Sequence, residues 1–203
     1  MAIIQFSRPL VLATASEARR ALVADAGFEF ETQVVSIDES PFSGEEIGAY
    51  VERLAAAKAE AAVPPSLDAV IVAVDTAIGL DGEIIGKPRD EAHAREILRV
   101  LSGRAHEVAS AIAVRDLISA ELKSEVTRTE VRFVHLGSHE LDWYINSGEW
   151  RGRAGAYAIQ GKGSSFVQEV RGCFTNVIGI SMTALVKMLA EVEGRSEKPA
   201  PKS

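Results

Sequence analysis

The sequence predicts an α/β fold: a mixed β-sheet with flanking helices, as distinct from a purely doubly wound one. Three observations carry this. Short apolar runs alternate with helical patterns through the first half of the chain, as in βα units. Two longer strand patterns then follow one another between residues 106 and 134, with no helix between them. Finally, 203 residues with a hydrophobic fraction of 47% suffice to bury one large core or two closely joined lobes.

The elements follow in chain order. Pro9 to Ala15 is a short apolar run, read as a buried strand. Ser16 is placed as an N-cap, opening a helix from Glu17 to Ala26 that Gly27 closes. Phe28 to Val35 reads as a strand. Ser43 with Glu46 three residues on makes a capping box, and its helix runs to Ala62, where Pro64-Pro65 ends it. Ala69 to Val74 is the most apolar segment and reads as a central strand ending on Asp75. Asp81-Gly82 marks a hairpin between Thr76–Leu80 and Glu83–Ile85. Asp90 caps a helix that stops before Gly103. His106–Val114 and Glu125–Val134 are the two longer strands. Ser138 opens a short helix that halts at Gly148. Residues 154–179 are rich in glycine and read as strands and tight turns. Ser181 caps a last helix to Val192, and the segment from Gly194 on is polar enough to be expected disordered.

Composition excludes several classes of function. A net charge of −7 argues against a general nucleic-acid binder, which needs a basic surface, but leaves room for a local basic pocket. A single cysteine, Cys173, allows no intrachain disulfide and fits a reducing compartment. The N-terminus lacks the order of a signal peptide, and no uncharged apolar stretch reaches the ~18 residues of a spanning helix. A cytoplasmic location is therefore expected, with no membrane partner. The four histidines (His93, His106, His135, His139) lack ligand spacing, so zinc is not expected.

Five constellations carry chemistry. Ser16 to Arg20 sits at a strand-to-helix junction, where free N–H groups and the positive dipole end favour an anion. Two arginines there, Arg19 and Arg20, either meet such an anion or point to solvent. Lys58 falls on the apolar face of its helix with Ile47, Val51 and Leu54. It either reaches into a cleft or snorkels at the stripe's edge. Asp75-Thr76 follows a buried strand, where α/β sheets place ligands, and a carboxylate there can bind metal or take a proton from water. Gly86-Lys87-Pro88 offers a lysine on a rigid turn, either a phosphate contact or a plain hairpin exit; its spacing is not that of a P-loop. Gly155 to Gly161 surrounds Gln160 with small residues, and a glutamine can read a base edge. Glu39, after Asp38, is a metal ligand or a solvated acid.

In order along the chain these pieces resemble the Maf family of nucleotide pyrophosphatases. The opening motif L-A-S-x-S-P-x-R is matched by Leu12 to Arg20, D-E by Asp38-Glu39, K-A by Lys58-Ala59 and D-T by Asp75-Thr76. G-K-P is matched by Gly86-Lys87-Pro88 and L-S-G-x-x-H by Leu101 to His106. G-E with A-G-A-Y-x-I-Q-G is matched by Gly148-Glu149 and Ala154 to Gly161, and N-V-x-G by Asn176 to Gly179. There are departures. Glu17 replaces the usual proline, Ala18 the first arginine of the dTTP/UTP branch, and Gly152-Arg153 the usual Asp-Lys. Arg19-Arg20 is similar to the 7-methyl-GTP branch, without its tryptophan, whereas Thr76 and Gln160 are similar to the dTTP/UTP branch.

The resemblance implies an inosine triphosphate pyrophosphatase-like fold over residues 1–194: a long curved mixed sheet with helices, two lobes and a cleft between them. Residues 195–203 form the expected disordered tail. It implies water attack on the α-phosphorus of a nucleoside triphosphate, giving the monophosphate and pyrophosphate, as house-cleaning of non-canonical or pyrimidine nucleotides. The alternatives are a 7-methyl-GTP-type pyrophosphatase and a non-enzymatic regulator of septum formation. Asp75 would be the catalytic base, and Glu39 and Asp75 would hold Mg²⁺ or Mn²⁺. Ser16, Arg19, Lys58 and Lys87 would bind the triphosphate, and Thr76 and Gln160 would face the base. The expected partners are the nucleotide and a second copy of the chain in a homodimer.

Overall fold

A computed structural model describes residues 6–196, with seven strands in one mixed sheet and helices against both faces. Strands β1 (Leu10–Ala13), β2 (Glu31–Gln33) and β3 (Val70–Leu80) come from the alternating half of the chain, with helices α1 (Glu17–Asp25) and α2 (Ile47–Ala61) between them. β4 (Glu83–Ile85) and α3 (Glu91–Leu101) follow, then the long pair β5 (Ala105–Asp116) and β6 (Glu121–Phe133). After α4 (Ser138–Ser147) come β7 (Val167–Arg171), α5 (Phe174–Ile178) and α6 (Met182–Ser196). The sheet order is β2-β1-β3-β5-β6-β7. β1 pairs in parallel with β2 and β3, and the remaining ladders are antiparallel.

Side chains of β3 alternate between the two faces, as a pleated strand requires. Ile71, Ala73 and Ala77 face α2 and pack with Val51, Ala55 and Ala59. On the opposite face the core divides. Val70, Val72 and Val74 join Leu185 and Leu189 of α6 in one cluster. Ile78 and Leu80 join Leu98, Phe133 and Tyr144 in another. Between them lies a seam of buried polar residues: Ser110, Thr129 and Asn176. Asn176 donates from Nδ2 to the Val108 carbonyl and to Thr129 Oγ1, each at 3.0 Å, which uses both N–H groups of that amide, while its Oδ1 is buried without a partner among the described residues. Two lobes result, joined by strands that run through both.

Several boundaries differ from the expected ones, each for a physical reason. Asp75 does not end its strand. Antiparallel pairing with β5 from Val70 to Gly79 carries β3 through Asp75 and Thr76 to the hairpin. The hairpin itself is as expected, with Asp81 (φ 54°) and Gly82 (φ 85°) both left-handed, the type I′ signature. Helix α2 is capped by Glu46, whose carboxylate accepts from Gly48 and Ala49 N–H, so the capping box on Ser43 does not form. The strand expected over Phe28–Val35 shrinks to three residues, because Phe28 is drawn into the α6-side core. Residues 154–179 hold one strand and the five-residue helix α5, with two 3₁₀ turns at Ala154–Ala156 and Lys162–Phe166. Ser181 does bond Ala184 N–H, and α6 continues to Ser196. The rest of the expected tail lies outside the described residues. Among those described, no helix is long and apolar enough to cross a membrane.

Candidate active site

β3 has two edges. β5 occupies one along Val70–Gly79. The other is shared by two short strands: β1, paired with residues 70–73, and β4, paired with residues 78–80. Residues 74–77 therefore have no strand neighbour on that side. Chain ends of β1 and α1 turn away at this gap, and a cleft of about 490 Å³ opens there, within the range of small-molecule sites. All eight expected residues line it: Ser16, Arg19, Glu39, Lys58, Asp75, Thr76, Lys87 and Gln160.

Asp75, on the α2 face of β3, is 7% exposed. Lys58, on the buried face of α2, reaches it: Nζ lies 2.5 Å from Asp75 Oδ1 and 2.6 Å from Glu39 Oε1. The snorkelling alternative for Lys58 is thus replaced by a buried ammonium shared between two carboxylates. Glu39 is held there through its backbone, since Tyr50 of α2 donates its hydroxyl to the Glu39 carbonyl at 2.9 Å. Burial, then the charges of Asp75 and Glu39, push the Tyr50 hydroxyl up to about 12, so it stays a donor. Burial also pushes the Glu39 carboxyl up. The hydrogen bond and charge of Lys58, with Lys87 behind it at 3.5 Å, outweigh burial and hold it below its ordinary value. The preceding acid, Asp38, turns away from this cluster. It accepts from Ser40 N–H at 2.9 Å and shapes the loop.

Arg19 fills the gap in the sheet edge. Ser16 caps α1, accepting from Arg19 N–H at 3.4 Å. The guanidinium then donates to four acceptors: Gly179 carbonyl (2.8 Å), Val74 carbonyl (2.9 Å), Thr14 Oγ1 (3.4 Å) and Thr76 Oγ1 (2.9 Å). Val74 is the residue whose β1 partner is missing, so the arginine satisfies a carbonyl that the strand leaves free. Burial pulls the guanidinium below its ordinary value, opposed by the charges of Asp75 and Glu39, yet a guanidinium stays charged in proteins. Arg20 is half-exposed and 3.9 Å from Glu17, outside this network.

Thr76 lines the cleft and is also bonded within the protein. Its Oγ1 accepts from Arg19, donates to the Gly179 carbonyl at 3.1 Å, and pairs across the ladder with Ser110 Oγ at 2.9 Å. It holds Arg19. Lys87 and Gln160 are exposed on the rim, and the loops carrying them are tied together by Gly155 N–H on the Gly86 carbonyl at 3.2 Å. Sequence reasoning left out Arg151, which lines the cleft beside Arg153. The signal was present, as two cations one residue apart directly before the Ala154–Gly161 block.

Among the described residues no group of three or more His, Cys, Asp or Glu could hold a metal. Glu39 and Asp75 nonetheless aim one oxygen each at a common point, the ammonium of Lys58. Two carboxylates completed by substrate phosphates are the donor set Mg²⁺ favours, so the pair fits a metal brought in with its nucleotide.

The family model described as Maf-like protein matches residues 9–192. The chain belongs to the Maf family. Relatives within it include a dTTP/UTP pyrophosphatase of Anaeromyxobacter dehalogenans, 47% identical over 89% of this chain and 92% of that one. Similar proteins of the same description occur in Myxococcus xanthus (43% identity, 89% and 90% coverage) and Acinetobacter baylyi (40%, 90% and 98%). The solved structure of a HAM1 protein from Coxiella burnetii is similar at a TM-score of 0.48 and 14% identity, over 91% of this chain and 100% of that one. Most of the Maf motifs of this chain converge on the cleft from strands and loops far apart in sequence, whereas Leu101–His106 and Gly148-Glu149 do not line it.

Proposed function

We propose that this protein hydrolyses pyrimidine nucleoside triphosphates of the dTTP/UTP kind to the monophosphate and pyrophosphate. The observation that carries the reading is Asp75: a buried carboxylate sharing one cleft with Arg19, Lys58 and Lys87, brought in from three distant stretches. Membership of the Maf family and the description of the relatives support it. Asp75 takes a proton from a water that attacks the α-phosphorus. The bond from that phosphorus to the bridging oxygen breaks, and pyrophosphate leaves with the electron pair. Lys58 orients Asp75. Arg19, fixed by four acceptors, supplies a preorganised positive charge at no reorganisation cost. Lys87 and the N–H groups at Ser16 receive phosphate oxygens. Gln160 faces the base. Glu39 and Asp75 would hold Mg²⁺ or Mn²⁺, which would supply neutralisation of phosphate charge. A cytoplasmic location and a homodimer belong to the same reading.

The 7-methyl-GTP alternative, which rested on Arg19-Arg20, is not favoured, because Arg20 points away and the relatives carry the other description. The septum-regulator alternative is not favoured either, since binding alone needs no set like Asp75, Glu39 and Lys58. The test is pyrophosphate release from dTTP, UTP, CTP and 7-methyl-GTP. Loss of one such contact lowers the rate on the order of a hundredfold, so Asp75→Asn is expected to lose at least that while melting normally. Wild-type turnover by Asp75→Asn would refute the mechanism, and preference for 7-methyl-GTP would refute the specificity.

A further inference from the structure

The cleft holds five cations, Arg19, Lys58, Lys87, Arg151 and Arg153, against three acids, Glu17, Glu39 and Asp75. Counting donors shows how few of these cations are free. A guanidinium has five N–H groups, and Arg19 spends four on protein acceptors. An ammonium has three, and Lys58 spends two on Glu39 and Asp75. Lys87 leans on Glu39 at 3.5 Å. Ala18, at the start of α1 on the same wall, has no side-chain donor to add. Besides the backbone N–H groups at the start of α1, the α1/α2 side of the cleft therefore has a fixed positive field and few unspent side-chain N–H groups. A triphosphate brings three phosphoryl groups with acceptor oxygens all round.

The unspent side-chain donors lie on the opposite wall. Arg151 and Arg153 line the cleft and are exposed, and neither has an ion-pair partner among the described residues. Gly152 between them carries no acid that could neutralise them. Their segment is not loose. The Glu149 carboxylate accepts from Lys162 and Gly163 N–H, each at 3.0 Å, which folds the 149–163 loop back on itself. Trp150 is buried, and its indole donates to the Ile145 carbonyl at 3.1 Å. Arg151 lies over that indole at 4.7 Å from the ring centroid. Gly148 closes α4 with φ 72°, the left-handed conformation that glycine adopts most readily, and so turns the chain into this loop. Stacked, unpaired guanidinium is suited to bidentate grip of phosphate.

We infer that Arg151 and Arg153 bind the β- and γ-phosphates, the part that leaves as pyrophosphate, while the α1/α2 wall holds the α-phosphate. This rests on the proposed pyrophosphatase reading and assigns the two ends of the substrate to opposite walls. The experiment is calorimetric titration of the full chain, with Mg²⁺ present, by inorganic pyrophosphate and separately by UMP. Wild type, Arg151→Ala, Arg153→Ala and the double variant are compared, with KM for UTP alongside. A charge-assisted contact of this kind is worth on the order of tenfold in affinity. Each single variant is expected to weaken pyrophosphate binding about that much and to raise KM, with UMP binding unchanged. Arg153→Lys is expected to recover part of the loss, because it keeps the charge but not the fork. Unchanged pyrophosphate affinity in the double variant would overturn the inference, and so would an equal loss for UMP. The parent reading fails differently: wild type would then release no pyrophosphate from any nucleotide, whatever the two arginines do to binding.

Discussion

His106 lies in β5, buried at 3% exposure, with Nε2 2.9 Å from the Tyr157 hydroxyl and no partner for Nδ1 among the described residues. Its other neighbours are the rings of Phe133 and Tyr157, at centroid distances of 4.9 and 5.5 Å. No carboxylate stabilises the imidazolium, so burial lowers the ring from 6.5 to about 4. Between these two values the unfolded chain binds the proton and the folded chain refuses it. Stability therefore rises with pH across that window and is lost on acidification. The full shift corresponds to about 3 kcal/mol, of which about 2 kcal/mol disappears between pH 7 and pH 5. For a domain of this size that is a fall of about 4–8 °C in melting temperature. The perturbation is His106→Gln, whose amide can reach Tyr157 but never titrates. Urea unfolding of both proteins at pH 7 and pH 5 isolates the histidine, because carboxylate contributions are common to the two. The wild type is expected to lose about 2 kcal/mol more than the variant over this step. Equal losses, or a folded-state imidazole resonance titrating near its ordinary value, would refute the reasoning.

Other outcomes follow from the same contacts. Thr76→Val keeps the shape but strands an Arg19 N–H, at a cost of about 1–3 kcal/mol; kcat/KM is expected to fall about tenfold, and Thr76→Ser to restore it. Arg8 and Asp116 form a buried pair at the end of β5, with side chains 8% and 7% exposed. Arg8→Met leaves that carboxylate with Ile118 N–H and Ser119 Oγ alone and should destabilise by about 3 kcal/mol in urea unfolding. Gly155 has φ +66°, and a Cβ there would stand 2.2 Å from Ile78 Cδ1 in the core. Gly155→Ala is expected to cost about 2–3 kcal/mol by thermal melting, while Gly152→Ala, with φ +70° and nothing within 4 Å, costs about 1 kcal/mol.

Much of this molecule is legible in its sequence where local chemistry decides. The apolar run at Val70–Val74, the Asp81-Gly82 turn and the caps at Ser16 and Asp90 depend on residues a few positions apart. Lys58 was legible as a conflict, a charge on an apolar helix face, but its resolution required Glu39 and Asp75 from elsewhere. The true length of β3 was hidden because β5, some thirty residues later, continues it. A five-residue helix such as α5 has no periodicity to read and exists by packing. The anchors of Arg19 are largest among the hidden features. Two are backbone carbonyls, at Val74 and Gly179, and every residue has one, so no side-chain pattern marks them.

β1 is four residues long, and its last rung is Ala13 opposite Ala73. Extending that strand by two rungs would zip it onto Val74 and Asp75, evict the Arg19 guanidinium from the Val74 carbonyl and close the opening, with every polar side chain still in place. The catalytic opening is thus a length tolerance of one edge segment, and small insertions near Thr14 should be more harmful than many substitutions of the residues that face the nucleotide.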